Sequence, residues 1–196
     1  MKQQIRSALA VSVGAVAVFS LVLVPAAANA ANTTTVNAVV SNGISITTSG
    51  TVNLAITPTS GGSYTSASDT VTVGTNKTAG YNLKIKGATT TLTNGGNTLA
   101  ATSGTFAAPS AMSTVNQWGY RVDNLGTFGA GPTTAQTDQA SLSGTWAGMT
   151  TADVQIKSTS SANAADVTTV WYGASADLTK PSGTYTNTIT YTATNN

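Results

Sequence analysis

An all-β fold, an antiparallel β-sandwich of about eight or nine strands, is predicted from three features of the sequence. Apolar and polar residues alternate with period two in run after run. No window shows a helical period. Threonine is the commonest side chain, with roughly forty copies. Because threonine is β-branched and polar, it suits the wet face of a half-buried sheet.

The runs follow in order. Val52, Leu54 and Ile56 alternate with polar or small residues, and Val71 and Val73 alternate with threonines. Tyr81, Leu83 and Ile85 share one face, with Asn82, Lys84 and Lys86 on the other. Asn94 to Asn97, between Leu92 and Leu99, reads as a hairpin tip. Trp118, Tyr120 and Val122 repeat the alternation, as do Val154 and Ile156. In the last run Tyr185, Ile189, Tyr191 and Ala193 alternate with threonines. Breakers at 58–62, 76–80, 126–132 and 180–183 separate these runs. Residues 101–112 and 125–145 are poor in large apolar side chains and read as long surface loops. Tyr185, Ile189 and Tyr191 look like core residues, which places the last strand in a central or covered position.

Residues 1–30 read as a secretory signal peptide. Lys2 and Arg6 make a positive start, residues 8–24 form an apolar run, Pro25 ends it, and Ala28-Asn29-Ala30 supplies a small-x-small cleavage pattern. Cleavage leaves residues 31–196 as one domain, with 31–35 as a flexible lead-in. The expected localisation is secreted or extracellular, associated with the cell surface, with no transmembrane segment in the mature chain.

Two of the eight basic residues lie in the leader, so the mature chain carries six bases against six acids, all Asp. These charges are scattered. No basic patch offers counterion release to nucleic acid, and no polybasic cluster suits an anionic membrane. With no cysteine, the domain must rest on its core and sheet hydrogen bonds rather than on disulfides.

Enzyme chemistry is not expected. The chain has no histidine, cysteine or glutamate, so its many hydroxyls lack the usual activating base. Six dispersed Asp read as solvated charges rather than a glycosidase pair. No D-x-D-x-D run occurs and the preferred ligands of zinc are missing, so no catalytic residue, cofactor or metal is assigned. A Lys–Asn isopeptide crosslink has one fitting partner, Asn187, which shares the inward parity of its strand. Lys84 and Lys86 have outward parity. Asn32-Thr-Thr and Asn76-Lys-Thr match a glycan acceptor pattern.

The aromatic residues Trp118, Trp146, Trp171 and Tyr172 are the candidate ligand or assembly surface. Trp118 shares a face with Tyr120 and Val122, which favours core packing. Trp171 and Tyr172 are adjacent and so point to opposite faces, which leaves one of them exposed or against another surface. Trp146, in the Gly-rich stretch 144–148, would plug one end of the fold.

Two segments resemble the WxL family of Gram-positive cell-surface proteins. Gly80-Tyr81-Asn82-Leu83-Lys84-Ile85, followed by Leu92 and Leu99, is similar to the proximal motif strand. The segment 183–194, Gly-Thr-Tyr-Thr-Asn-Thr-Ile-Thr-Tyr-Thr-Ala-Thr, is similar to the closing strand. Tyr81 stands where the family has its first motif Trp, and Tyr191-Thr192-Ala193 stands in place of the second Trp-x-Leu. The resemblance implies an exported surface domain with a wall-binding role.

These readings combine into an exported, non-enzymatic surface or structural protein. It would attach non-covalently to the envelope or assemble into a surface layer or fibre. Its partners would be a cell-wall glycan, another envelope component or copies of itself. The alternative is a carbohydrate-binding module using exposed aromatics, which needs at least two of Trp118, Trp146, Trp171 and Tyr172 on one open surface.

Overall fold

The computed structural model describes residues 34–196. The expected signal peptide and its cleavage site lie outside the described residues. The chain divides into two units, Met1–Val39 and Val40–Asn196, and the fold below is that of the second.

It is all-β, with no helix among the described residues, and so none long and apolar enough to cross a membrane. The strands are β1 (Ile44–Thr47), β2 (Ser63–Thr75), β3 (Tyr81–Gly87), β4 (Leu92–Asn94), β5 (Asn97–Ala101), β6 (Gln117–Val122), β7 (Gln136–Gln139), β8 (Val154–Ser158), β9 (Asn163–Ala176) and β10 (Ile189–Asn195). The larger sheet runs β1-β2-β9-β6-β5-β4, with β7 also on β2; the smaller runs β10-β3-β8.

Two expectations are corrected. Ten strands form rather than eight or nine, because the hairpin arms β4 and β5 and the short β1 and β7 are separate elements. The sheets are not wholly antiparallel: β5 and β6 pair in parallel through Ala100–Gln117 and Ala101–Trp118. The loop 102–116 carries the chain back to the level where β5 ended, so β6 leaves in the same direction.

The longest pair, β2 with β9, is the spine. Its register runs from Ser63 opposite Ala176 to Thr75 opposite Asn163, with one irregularity between Val73 and Thr75. Gly74 lies there against the Ala164 carbonyl; a Cβ would come within 2.5 Å of that oxygen. The predicted tip at 94–97 forms a tight hairpin, with Leu92 opposite Leu99 and Asn94 opposite Asn97.

Alternation sends side chains to both faces of this spine. On one face Val71, Val73, Val170, Tyr172 and Ala174 join Trp118, Tyr120 and Val122 of β6. They pack with Tyr81, Leu83, Ile85 and Ile156 of the smaller sheet in a single core. On the other face Tyr64 and Trp171 meet Met112, Leu142 and Trp146 in a second, smaller core. The loops read as surface therefore act as a cover. Met112 and Leu142 are spent on this contact, while Phe106, Leu125 and Phe128 of the same loops join the main core. Two exchanges fix the strip 146–147: Trp146 pairs with Ser110 and Ala147 with Tyr120, each through two backbone hydrogen bonds of 2.7–3.1 Å.

Arg121, with Trp171, points to this second face and is fully buried. Its Nη2 donates to the carbonyls of Phe128 (2.8 Å), Ala130 (3.0 Å) and Gly129 (3.3 Å), so one side chain ties down the glycine-rich loop. Nε lies 3.5 Å from Asp123 Oδ1, close enough for ion pairing but outside hydrogen-bond geometry. Asp123 Oδ2 accepts from Trp171 Nε1 at 2.8 Å.

The last strand is an edge, not a central element. β10 pairs with β3 alone, from Ile189 opposite Gly87 to Asn195 opposite Tyr81. The two segments that resemble the WxL family are thus hydrogen-bonded neighbours. Tyr185, Ile189 and Tyr191 are only partly buried. The inward parity is as read, but one side of the strand carries no cover.

Candidate functional site

A cleft of about 1130 Å³ opens beside that edge. This exceeds the roughly 300–1,000 Å³ of sites that enclose a small molecule. Two extended segments form its walls, 51–57 on one side and 182–191 on the other. Leu92, Leu99, Trp118, Tyr172 and Ala174 form the floor.

The wall at 51–57 has a strand's alternation but no strand's bonds. Val52, Leu54 and Ile56 are half-buried and pack against the main core, while the residues between them are exposed. Among the described residues, the N–H groups of 51–56 make no hydrogen bond. Competition for the β2 edge explains this. β1 occupies it at residues 72–75 and β7 at 64–66, so the continuing chain is lifted off the sheet. Side chains hold it instead. Ser49 N–H donates to Asp69 Oδ1 at 2.8 Å, Thr65 Oγ1 to the Ala55 carbonyl at 2.9 Å, and Thr57 N–H to Asp138 Oδ1 at 2.7 Å. That last bond pulls the exposed Asp138 carboxyl below its ordinary range.

The opposite wall is paired on one side only. Thr186 exchanges two backbone bonds with Thr93, and the Thr188 carbonyl accepts from Ala88 N–H at 2.8 Å. Antiparallel alternation then turns the backbone groups of Tyr185, Asn187, Ile189 and Tyr191 toward the cleft. Tyr185, Asn187 and Ile189 are half-buried while Thr184, Thr186 and Thr188 between them are exposed. Tyr191 crosses to the floor, where its hydroxyl meets that of Tyr172 at 2.6 Å. Burial pushes both hydroxyls above the usual tyrosine range.

The cleft therefore has an apolar floor and is uncharged along most of its length, with main-chain donors and acceptors left free on both rims. Asp69 and Lys180 are its ionisable side chains besides the tyrosines. Lys180 Nζ donates to the Thr98 carbonyl at 2.8 Å. Free main-chain groups above an apolar floor are the kind of surface that can accept an extended backbone. The cleft offers no nucleophile beside a base. Elsewhere among the described residues no three acidic side chains converge; the ion pair Lys157–Asp166 (2.7 Å) joins β8 of the smaller sheet to β9 of the larger, and Lys86–Asp153 (3.3 Å) joins β3 to the residue before β8.

The four aromatic candidates do not form a surface. Trp118, Trp146, Trp171 and Tyr172 are 2%, 0%, 5% and 6% exposed. Trp118 and Tyr172 lie under the cleft in the main core, and Trp118 Nε1 donates to the Thr90 carbonyl at 2.9 Å. Trp146 and Trp171 belong to the second core on the other face, with Arg121 stacked 5.9 Å from the Trp146 ring. Trp146 is fully buried in that second core, with its backbone paired to Ser110. Trp171 met another surface, as its parity required, but that surface is the chain's own loops.

Among the described residues Asn187 makes no hydrogen bond to a lysine. Its amide is committed to Thr89, donating to the carbonyl at 2.7 Å and accepting from the N–H at 3.3 Å. Asn76 of the acceptor pattern binds the backbone of Ser41 and Gly43.

What sequence reasoning missed is the cleft itself. The alternation of 51–57 and 184–194 was legible, but not the missing partner between them. Comparison with known proteins adds nothing to this geometry, because no family model, curated protein or solved structure matches the chain.

Proposed function

We propose that the chain is an exported, non-enzymatic structural protein of the cell surface whose working site is the open cleft, and that it assembles with copies of itself into a layer or fibre. The observation that carries this reading is the pair of unpaired, uncharged strand edges at 51–57 and 182–191. Natural sheets guard such edges with charge, proline or bulges, because free N–H and C=O groups template another strand. Residues 182–196 contain no charged side chain. An edge left open in this way suits association by strand addition.

Within this reading the two sheets, which share one core, are the layers of a β-sandwich, and residues 1–30 are the leader that exports it. The WxL-like segments, paired as β3 and β10, would add affinity for the wall. The carbohydrate-module alternative is not carried forward, because its four rings are buried.

Fractionation of producing cells, with negative-stain microscopy of the purified mature chain, tests the proposal. Envelope-bound material and ordered polymers are expected. A free monomer in the medium, with no affinity for cell walls and no polymer at high concentration, would overturn it.

A further inference from the structure

We infer that the cleft is a receptor for one added β-strand, and that the strand is the segment around Val36–Val40 of a second copy of this chain. This rests on the assembling-protein reading and names its contact.

The cleft lacks one strand by three measures. Its walls present inward apolar residues from both sides, Val52, Leu54 and Ile56 against Tyr185, Ile189 and Tyr191, all incompletely covered. The main-chain groups of both rims are free on the cleft side. The wall at 51–57 is about 23 Å long at roughly 3.3 Å per residue, the length of a seven-residue strand.

The donor is the most conspicuous apolar segment left in water. Val36, Val39 and Val40 are 87%, 91% and 82% exposed, the three highest values among the exposed large apolar residues of the described chain. Exposed apolar residues clustered in this way mark an interaction site. Residues 34–43 carry no charge, which matches the cleft. In an extended strand Val36, Ala38 and Val40 fall on one face. These are small enough to lie between the two rows of wall side chains, while Thr35, Asn37 and Val39 alternate with them.

The chain's own segment is fixed where it leaves the fold. Asn76 clamps its root: Gly43 N–H donates to Asn76 Oδ1 at 2.7 Å and Asn76 Nδ2 donates to the Ser41 carbonyl at 2.8 Å. The cleft begins at the far half of β1, with Ile46 and Thr47 in its lining. A chain leaving Ser41 runs away from the cleft end of β1 and would have to turn back on itself to enter it. A neighbouring copy has no such constraint, and head-to-tail insertion of this kind yields a filament.

The test uses the mature chain, whose lack of cysteine makes crosslinking clean. One copy carries Val52→Cys; the other carries Ala38→Cys or Val40→Cys. Mixing them under mild oxidation should give an interchain disulfide at one of the two donor positions. In a doubly substituted chain, a disulfide confined within each monomer would overturn the second-copy assignment. Separately, Val36→Asp with Val40→Asp should abolish polymers while leaving the monomer folded. Adding a synthetic peptide of residues 34–43 to that monomer should raise Tm by about 5–10 °C at roughly 100-fold above its Kd. A scrambled peptide should not. If polymers persist in the double-Asp variant and the peptide leaves Tm unchanged, the donor assignment fails while the structural-protein reading stands. If soluble cell-wall glycan raises Tm and the peptide does not, the cleft is a glycan site and the inference is overturned. The peptide arm is read on monomer, so it decides the cleft's ligand even if the wild-type chain forms no polymer.

Discussion

The hydroxyls of Tyr172 and Tyr191 meet at 2.6 Å, joining β9 of the larger sheet to β10 of the smaller one. This bond fixes the depth of the cleft, since the Tyr191 side chain is also part of its wall. Replacing either tyrosine by Phe should cost about 1 kcal/mol, the net worth of a typical buried hydrogen bond. The double variant should cost less than the sum, with a coupling of roughly 0.5–1.5 kcal/mol. Chemical denaturation of the four proteins measures this. Strict additivity would mean that the hydroxyls do not act on each other.

Arg121 should be the costliest single charge to remove. Its guanidinium holds three loop carbonyls and lies beside Asp123. Arg121→Ala should destabilise by about 3–5 kcal/mol, because the loop carbonyls and Asp123 lose their buried counterpart. Asp123→Asn, which retains an acceptor for Trp171 Nε1, should cost less. Comparable losses would place the energy in the Trp171 bond rather than in the cation.

Acid should loosen the cleft wall before the core. Thr57 N–H holds the Asp138 carboxyl below its ordinary value of 3.8, and the hydroxyl of Thr179, followed by Asn116, does the same for Asp177. A depressed carboxyl contributes stability that is complete above its unfolded value and is lost as pH falls through the lower folded value. Amide signals of 55–57 should therefore shift below about pH 4, and Asp138→Asn should remove that transition. At the alkaline end, burial raises the Tyr120 hydroxyl from 10.0 to about 12. A raised group contributes stability that is complete below its unfolded value, so stability should fall as pH rises from about 10 to 12. Tyr120→Phe should lessen that fall, which the raised hydroxyls of Tyr81, Tyr172 and Tyr191 also drive.

Gly80 and Gly95 both have positive φ, 79° and 58°, but differ in surroundings. A Cβ at Gly80 would come within 2.4 Å of the Thr159 carbonyl oxygen, whereas Gly95 faces open space at the hairpin tip. Gly95→Ala should cost only the left-handed backbone penalty, about 1–2 kcal/mol. Gly80→Ala should cost clearly more, since β3 and residue 159 must part. Thermal denaturation of the pair separates strain from clash.

The all-β class and most strands were legible, because alternation and turn residues are local. The inward faces of Tyr81, Leu83, Ile85, Trp118 and Tyr120 followed from period two alone. Three things were not local. The parallel β5–β6 pairing depends on where a fifteen-residue loop returns. The burial of Trp146, Trp171 and Arg121 depends on loops folding over the second face, where those loops place Met112, Val115 and Leu142 while their Phe106, Leu125 and Phe128 go to the main core. The edge position of β10 depends on strand order, which no single strand encodes. The cleft follows from that order, so the four aromatic candidates were sought in the wrong place. The signal available was a pair of strand-like runs, one of them charge-free, whose partners the sequence could not name.

Hydrogen exchange of the cleft rims, compared between monomer and assembled material, tests the central claim most directly. In the monomer the amides of Val52 to Ile56, with Tyr185, Asn187 and Ile189, should exchange quickly, whereas Tyr120 and Val170 in the core strands stay protected. On assembly those rim amides should slow by about 100-fold or more, together with the amides of residues 36–40. Rim amides that exchange equally fast in both states, in material shown to be polymeric, would contradict strand addition at the cleft.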